Sequence, residues 1–348
     1  MPECDMTDTE NFRNPKTGID DRNPGGVYMP ARIIGTGISL PSLVVSNTEL
    51  EKIMDTSDEW IKSRTGIEER HIAVEETTTS MAVEASERAM QSAKIEAEEI
   101  DLIIVGTVSG DMCFPSTACQ VQSRIGAVNA TAFDINAACA GFLFGLSIAD
   151  SYIKAGMART ALIIGAETLS KMMDWNDRST CILFGDGAGA AIVKGDEHGI
   201  MSIVQGTDGA RGEVLTCHNR AVNNPFVKGS MELDYTSMNG QEVYKFAVKT
   251  VPVAIRQALD AAGVQVDEIK YFLLHQANIR IIEAVARKMG QPIEKFPTNL
   301  QKCGNISAGS VPVLLDSVNE QGVLKRGDKI VLAGFGAGLS WGASVLTW

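Results

Sequence analysis

No apolar stretch in the 348 residues approaches the roughly 18 that a membrane-spanning helix needs, so no spanning segment is expected. The first residues also lack the apolar core of a secretion signal. Cysteine is sparse and scattered: seven, at 4, 113, 119, 139, 181, 217 and 303, with no CxxC pair and no metal-ligand spacing. That pattern excludes a zinc ribbon or a disulfide scaffold and suits reduced thiols in a cytoplasm. Positive charge is the minority sign. With 31 Lys and Arg against 43 Asp and Glu the net charge is −12, which argues against non-specific nucleic-acid binding but leaves room for a local basic patch. One glycine-rich run, GDGAGAA at 185–191, lacks both GxGxxG and the Lys-Ser/Thr of a phosphate loop, so it reads as close strand packing.

What is there is an ordinary globular composition, 45% hydrophobic and 21% charged, in a chain long enough for one large or two medium domains. Residues 1–30 are polar, aperiodic and rich in Asp, Asn, Pro and Gly, and read as a flexible N-terminal extension in which Cys4 is incidental. From Ala31 the pattern alternates strands and helices. ARIIGTGIS predicts a strand, Thr79–Ser92 a helix, and the continuous apolar run Ile100–Gly106 a strand buried on both faces. The chain then repeats itself. Ala89–Gly106 aligns without a gap on Ala258–His275, and at the same offset Ala161–Glu167 aligns on Ile330–Gly336 and Ala138–Gly141 on Ser307–Ser310. Helix, buried strand, helix and buried strand in both halves predict a duplicated α/β fold, with an N-terminal half at 31–200 and a C-terminal half at 201–348.

The stretch TAFDINAACAGFLFGL, Thr131–Leu146, reads as a strand, a tight turn and a buried helix, with Cys139 at the turn among Ala137, Ala138, Ala140 and Gly141. A thiol at a helix N-terminus feels free N–H groups and the positive end of the dipole, which favour thiolate. Taken alone, Cys139 reads equally as a small core hydrophobe. The duplication changes the balance. It makes the Asn305–Ser310 turn the partner of the Cys139 turn, and it brings His275 and Gly336, both at strand ends, to the cleft between halves. Alone, His275 is also compatible with a satisfied core histidine and Asn305 with a plain turn residue. Together a thiolate, a neutral imidazole, a carboxamide and bare backbone N–H groups are the parts for acyl transfer followed by carbanion chemistry.

The motifs TSDEWIKSRTGI, FPSTACQVQ, DINAACAGF, DRSTCILFGDGAGAA, HQANIRII, GNISAGSVP and GFGAGLSWG stand in this order over Ala31–Trp348. In them the chain resembles the β-ketoacyl-acyl-carrier-protein synthase III family of thiolase-like condensing enzymes. The resemblance implies a five-layered αβαβα fold, a homodimer, and no cofactor or metal. It implies Cys139 as the acylated nucleophile, His275 and Asn305 as the decarboxylating pair, and the backbone of Cys139 and Gly336 as the oxyanion hole. Coenzyme A and pantetheine contacts fall on Trp60, Arg64, Arg178, Gln241, Asn278 and Arg280. Phe114 falls where the family lines the partner subunit's acyl pocket, and the acyl-carrier-protein patch falls on Lys245, Arg280, Arg287 and Lys288. Gln241 replaces a frequent Asn, and Met112-Cys113 before Phe114 is also a departure. The implied reaction joins a short acyl-CoA to malonyl-acyl-carrier-protein with loss of CO2, initiating fatty-acid synthesis. The rivals are a secondary-metabolite starter synthase, a hydroxymethylglutaryl-CoA-synthase-like enzyme, for which no glutamate is evident near Cys139, and a cysteine thioester hydrolase.

Overall fold

A computed structural model describes residues 29–230 and 234–348. The expectations for the extension up to residue 28, Cys4 included, lie outside the described residues. Five strands form the first sheet, in the spatial order Ala31–Ser39, Gly187–Gly195, Thr160–Glu167, Leu102–Gly106 and Thr131–Ile135. Only the second of these runs against the others. The second sheet repeats the order from the same edge: Ile200–Thr207, Ser340–Thr347, Lys329–Gly336, Ile269–Leu274, and again only the second strand is reversed. It has four strands where the first has five.

Helices fill three further layers. Gly141–Lys154 and Ser310–Glu320 lie between the sheets. Thr78–Ala93 and Thr117–Ile125 cover the outer face of the first sheet, and Gly240–Ala262 and Ile279–Met289 that of the second. The fold is therefore the thiolase-like αβαβα sandwich. The outer helices begin on side-chain caps, the exposed Thr77 for Thr78–Ala93 and the exposed Asn239 for Gly240–Ala262. The central pair begin with no side-chain cap. Their first residues are instead packed between the two sheets, and burial of Phe142, Leu143, Leu146 and Ile153 holds the first of them in place. Leu102–Gly106 is buried along its whole length, as a parallel strand covered by helices on both faces should be. Truncating a leucine such as Leu146 or Leu332, neither of which exposes any surface, costs about 2–5 kcal/mol in a core of this kind.

The two central helices are each preceded by a short 3-10 turn, Ala138–Ala140 and Ser307–Gly309, and the two turns abut. Each opens on a non-glycine residue in the left-handed region, Ala138 at φ 44° and Ser307 at φ 47°. The approach demands small residues. A Cβ on Gly141 would come 3.2 Å from the Ala308 Cβ, and one on Gly165 would overlap the Ala308 carbonyl oxygen at 2.1 Å. Within GDGAGAA, a Cβ on Gly189 would stand 2.7 Å from the Val313 nitrogen, so that run serves close contact with the second central helix.

Candidate active site

Cys139, in the first of the two abutting turns, opens on a cavity of about 780 Å³, within the size range of small-molecule sites. Cys139, His275, Asn305 and Gly336 line its inner end. Trp60, Arg64, Gln241, Asn278 and Arg280 line it as well, and apolar walls come from Ile182, Leu183, Phe184 and Phe335. Leu215 and Met238, from the connection between the second sheet's first strand and the helix Gly240–Ala262, close one side.

Each reacting side chain is fixed by a different element. Cys139 sits in the middle of its 3-10 turn, two residues before the helix proper. Gly336 ends its strand directly against it: a Cβ there would lie 2.7 Å from the Cys139 nitrogen and 3.0 Å from the Cys139 Cβ. Only glycine lets these two backbones approach so closely. His275 follows the strand Ile269–Leu274, extends its pairing through its N–H to the Ala333 carbonyl at 2.8 Å, and packs edge-on to Phe335 at 5.3 Å. The ring is 2% exposed, burial pushes its pKa down to about 3, and Nδ1 has no hydrogen-bond partner. The imidazole is therefore neutral and carries one N–H to donate. Asn305 is held by its own backbone, which donates to the Leu183 carbonyl at 2.8 Å and accepts from Gly185 N–H at 3.0 Å. Its Oδ1 accepts the Ser307 N–H at 2.8 Å, which leaves the amide NH2 as the available donor.

The charge state of Cys139 differs from the sequence expectation. The dipole argument favours thiolate, but burial, partly opposed by Ser307 and reinforced by a nearby Glu167, holds the thiol up at about 12. Desolvation outweighs the dipole because the turn ends inside the protein. The resting group is a thiol. The second correction is Glu167 itself, since no glutamate was evident near Cys139 in the sequence. It ends the strand Thr160–Glu167, is fully buried, and accepts from the Ser109 hydroxyl at 2.5 Å, Val108 N–H at 3.1 Å and the Thr107 hydroxyl at 3.2 Å. Burial raises its pKa to about 7.

At the cavity mouth the guanidinium groups of Arg64 and Arg178 lie over the Trp60 ring at 4.8 and 5.1 Å. Arg178 reaches the ring from outside the lining set and also donates to the Asp55 carbonyl. The Asn278 side chain is already engaged: it caps Ile279–Met289 through Arg280 N–H at 2.8 Å and donates to the Arg64 carbonyl at 3.0 Å. Arg280 donates to the Ser63 carbonyl at 2.8 Å. Lys245, Arg287 and Lys288 stand outside the cavity on the two packed outer helices, with Lys245 paired to Glu242 at 2.9 Å and Arg287 to Glu283 at 3.9 Å. Lys288 donates to the Val248 carbonyl at 2.9 Å. Phe114 is not among the residues lining the cavity and is 86% exposed, near an exposed Met112. Among the described residues no cluster of His, Cys, Asp or Glu could hold a metal ion, and no helix is long and apolar enough to cross a membrane.

Known proteins resemble this chain along most of its length. Residues 133–209 match the family described as 3-oxoacyl-[acyl-carrier-protein] synthase III, and residues 259–348 match its C-terminal counterpart. A β-ketoacyl-[acyl-carrier-protein] synthase III of Clostridium acetobutylicum is 50% identical over 91% of this chain and 98% of its own. The crystal structure of 3-oxoacyl-[acyl-carrier-protein] synthase III from Aquifex aeolicus VF5 superposes with a TM-score of 0.86 at 46% identity, covering 91% of this chain and 100% of that one. The priming β-ketosynthase of the R1128 polyketide biosynthetic pathway superposes with a TM-score of 0.86 at 37% identity, covering 92% and 96%.

Proposed function

The chain belongs to the β-ketoacyl-acyl-carrier-protein synthase III family of acyl-transferring condensing enzymes, and from that premise we propose that it joins a short acyl-CoA to malonyl-acyl-carrier-protein at the start of fatty-acid synthesis. The observation that carries the reading is the convergence of Cys139, His275, Asn305 and the Gly336 backbone on one cavity. The acyl-CoA carbonyl sits above the Cys139 sulfur. The sulfur attacks and gives up its proton, and the tetrahedral oxyanion is held by the N–H groups of Cys139 and Gly336; the C–S bond to CoA then breaks, CoA leaves as a thiol with one proton, and Cys139 keeps the acyl group. The malonyl thioester enters by the same cavity and loses CO2. Its thioester oxygen gains negative charge as the enolate forms, and the neutral His275 N–H and the Asn305 NH2 donate to it. The enolate carbon attacks the acyl-cysteine, a carbon–carbon bond forms, the bond between the acyl carbon and the Cys139 sulfur breaks, the sulfur takes a proton from water to return to the thiol, and 3-ketoacyl-acyl-carrier-protein departs.

The remaining roles follow the same reading. Trp60, Arg64, Arg178, Gln241, Asn278 and Arg280 form the CoA and pantetheine channel, with the adenine stacked on Trp60. Lys245, Arg280, Arg287 and Lys288 face an acidic carrier protein, where a local basic field outweighs the net charge. The protein acts as a cytoplasmic homodimer in which the exposed Phe114 covers the partner subunit's acyl pocket, and it needs no cofactor beyond its substrates.

Intact-protein mass spectrometry tests this. Incubation with acetyl-CoA leaves an acetyl adduct on Cys139 that persists until malonyl-acyl-carrier-protein is added. His275→Ala and Asn305→Ala still acquire the adduct but fail to discharge it into product. An adduct lost to water without the carrier would identify a hydrolase instead, and loss of acylation in both variants would overturn the division of labour.

A further inference from the structure

Arg70, in the short strand Glu69–Ile72, is the one Lys or Arg among the described residues that exposes no surface. Its guanidinium is bonded to no carboxylate. Nη1 donates to Asn47 Oδ1 at 2.9 Å and to the Val45 carbonyl at 3.2 Å, and Nη2 donates to the Ile182 carbonyl at 2.8 Å. Nε is buried with no partner among the described residues. A cation held among neutral acceptors only is costly to bury, and burial lowers its pKa to about 10. Such a group calls for a reason.

Its acceptors belong to two separate regions. Ile182 stands on the cavity wall, and the residues after it hold Asn305: the Leu183 carbonyl accepts the Asn305 N–H at 2.8 Å and the Gly185 N–H donates to the Asn305 carbonyl at 3.0 Å. These backbones close around the Arg70 stem, since a Cβ on Gly185 would lie 3.2 Å from the Arg70 Cβ and one on Gly304 3.3 Å from it. Asn47, itself fully buried, belongs to the mouth. Its Nδ2 donates to Asp58 Oδ1 at 2.8 Å, and Asp58 opens the helix Asp58–Thr65 that carries Trp60 and Arg64. The far end of that helix is held separately, by Arg280 on the Ser63 carbonyl and Asn278 on the Arg64 carbonyl. The turn at Asn305 does not need this stitching in order to form. Its counterpart in the first half, Asn136, is exposed, yet its Oδ1 accepts the Ala138 N–H at 3.3 Å just as Asn305 Oδ1 accepts the Ser307 N–H at 2.8 Å. What the second half gains is a fixed place for the Asn305 backbone relative to the mouth.

We propose that Arg70 is a positioning residue for Asn305: it clamps the segment Ile182–Gly185 to Asn47, and so sets the carboxamide that holds the enolate at a fixed distance from the helix at the cavity mouth. Arg70 is not among the residues lining the cavity and touches no substrate. It acts through two carbonyls and one amide. Cys139 and Gly336 are held by other elements, the first by its own turn and helix and the second by its strand. The clamp therefore bears on one half-reaction. Without it Asn305 drifts and condensation slows, while acylation of the sulfur proceeds.

The role given to Asn305 rests on the condensing reading, so the experiment reads the clamp both with and without substrate. Single-turnover mass spectrometry separates the half-reactions: acetylation of Cys139 by acetyl-pantetheine, which needs no contact to an adenine, and discharge of the adduct by malonyl-acyl-carrier-protein. Arg70→Met keeps the stem and removes the fork. Its discharge falls about 10- to 100-fold, the usual effect of a small misplacement, and its acetylation stays within about threefold of wild type. Arg70→Lys keeps the charge but cannot hold both regions in one planar fork, so its discharge falls less, by about threefold or more. An equal fall in both half-reactions, or unchanged discharge in either variant, overturns the clamp. In an Asn305→Ala background Arg70→Met lowers the residual discharge no further, because the two act as one unit; a further fall of full size overturns it too. Should Arg70→Met fail to fold, Arg70→Lys decides. Amide hydrogen exchange then reads the clamp with no acyl donor present. Peptides covering 182–186 and 303–307 exchange faster in the variant and the peptide covering 138–146 does not, whereas unchanged exchange in the first two counts against the clamp. Wild-type protein that takes no acetyl group would retire the proposed reaction, and exchange alone would then decide the clamp.

Discussion

The two halves share strand order, strand direction and even the left-handed residue that opens each central helix, yet they have opposite interiors at the places that matter. Where the first half has Cys139 the second has Ala308, and where the second has Gly336 the first has Glu167. His275 in the second half matches Gly106 in the first, whose Cβ would touch the Gly141 backbone at 2.9 Å. One turn is thus emptied around a sulfur and opened to the cavity, while its twin is filled with Ala308 against Gly165 and closed. The lesson is that duplication supplied two equivalent strand–turn–helix junctions, and a handful of size changes decided which would receive a ligand.

The comparison is broken most severely by exchanging its central atom. Cys139→Ala removes the nucleophile and abolishes acyl transfer, a loss on the order of 10⁴ or more. Ala308→Cys in that background does not restore it, because that turn is packed against Gly165 and has no open cavity above it. Acetyl adduct formation measured by mass spectrometry checks both. An adduct on the transplanted cysteine would show that the closed half is catalytically equivalent after all.

A smaller effect comes from closing the open half. Gly336→Ala would set a methyl group 2.7 Å from the Cys139 nitrogen, forcing apart the two N–H donors of the oxyanion site. The expected fall in acylation rate is about 10²–10³, the usual consequence of losing one such donor. Stopped-flow release of CoA reads it directly. A change of less than about threefold would mean that the oxyanion is held elsewhere.

How much of this was written locally explains what could be read beforehand. The strands showed because Ile100–Gly106 and Tyr271–Leu274 are unbroken apolar runs, and Cys139, His275 and Asn305 showed because each ends such a run or sits in a small-residue turn. Glu167 did not. It ends ALIIGAE like any polar residue leaving a strand, and its burial depends on Thr107, Val108 and Ser109, some 60 residues away in sequence. The ionisation of Cys139 was misjudged for the same reason, since the dipole is a local property and desolvation a tertiary one. The wall from Leu215 and Met238 comes from an irregular connection with no periodicity to announce it. Asn278 lines the cavity, and its side chain is fixed there by a helix cap and by the Arg64 carbonyl, a tertiary arrangement its local sequence does not announce.

The mildest expected effect concerns the mouth, where the comparison of halves has no counterpart, because Trp60 belongs to the excursion Asn47–Ile72 that lies outside both sheets. Its ring is covered by two guanidinium groups at 4.8 and 5.1 Å. An adenine stacking there must displace one of them, so it gains the stack minus a cation–π contact of about 0.5–1 kcal/mol. Base–aromatic stacking is worth about 1–3 kcal/mol by alanine substitution. The difference predicts that Trp60→Ala raises KM for acetyl-CoA by about tenfold, or about 1.4 kcal/mol, with kcat little changed. Acetyl-pantetheine, which has no adenine, sharpens the assignment: its KM should be the same in both proteins. An equal rise for both donors would mean that Trp60 shapes the channel through Arg64 and the packing beneath it and does not meet the base.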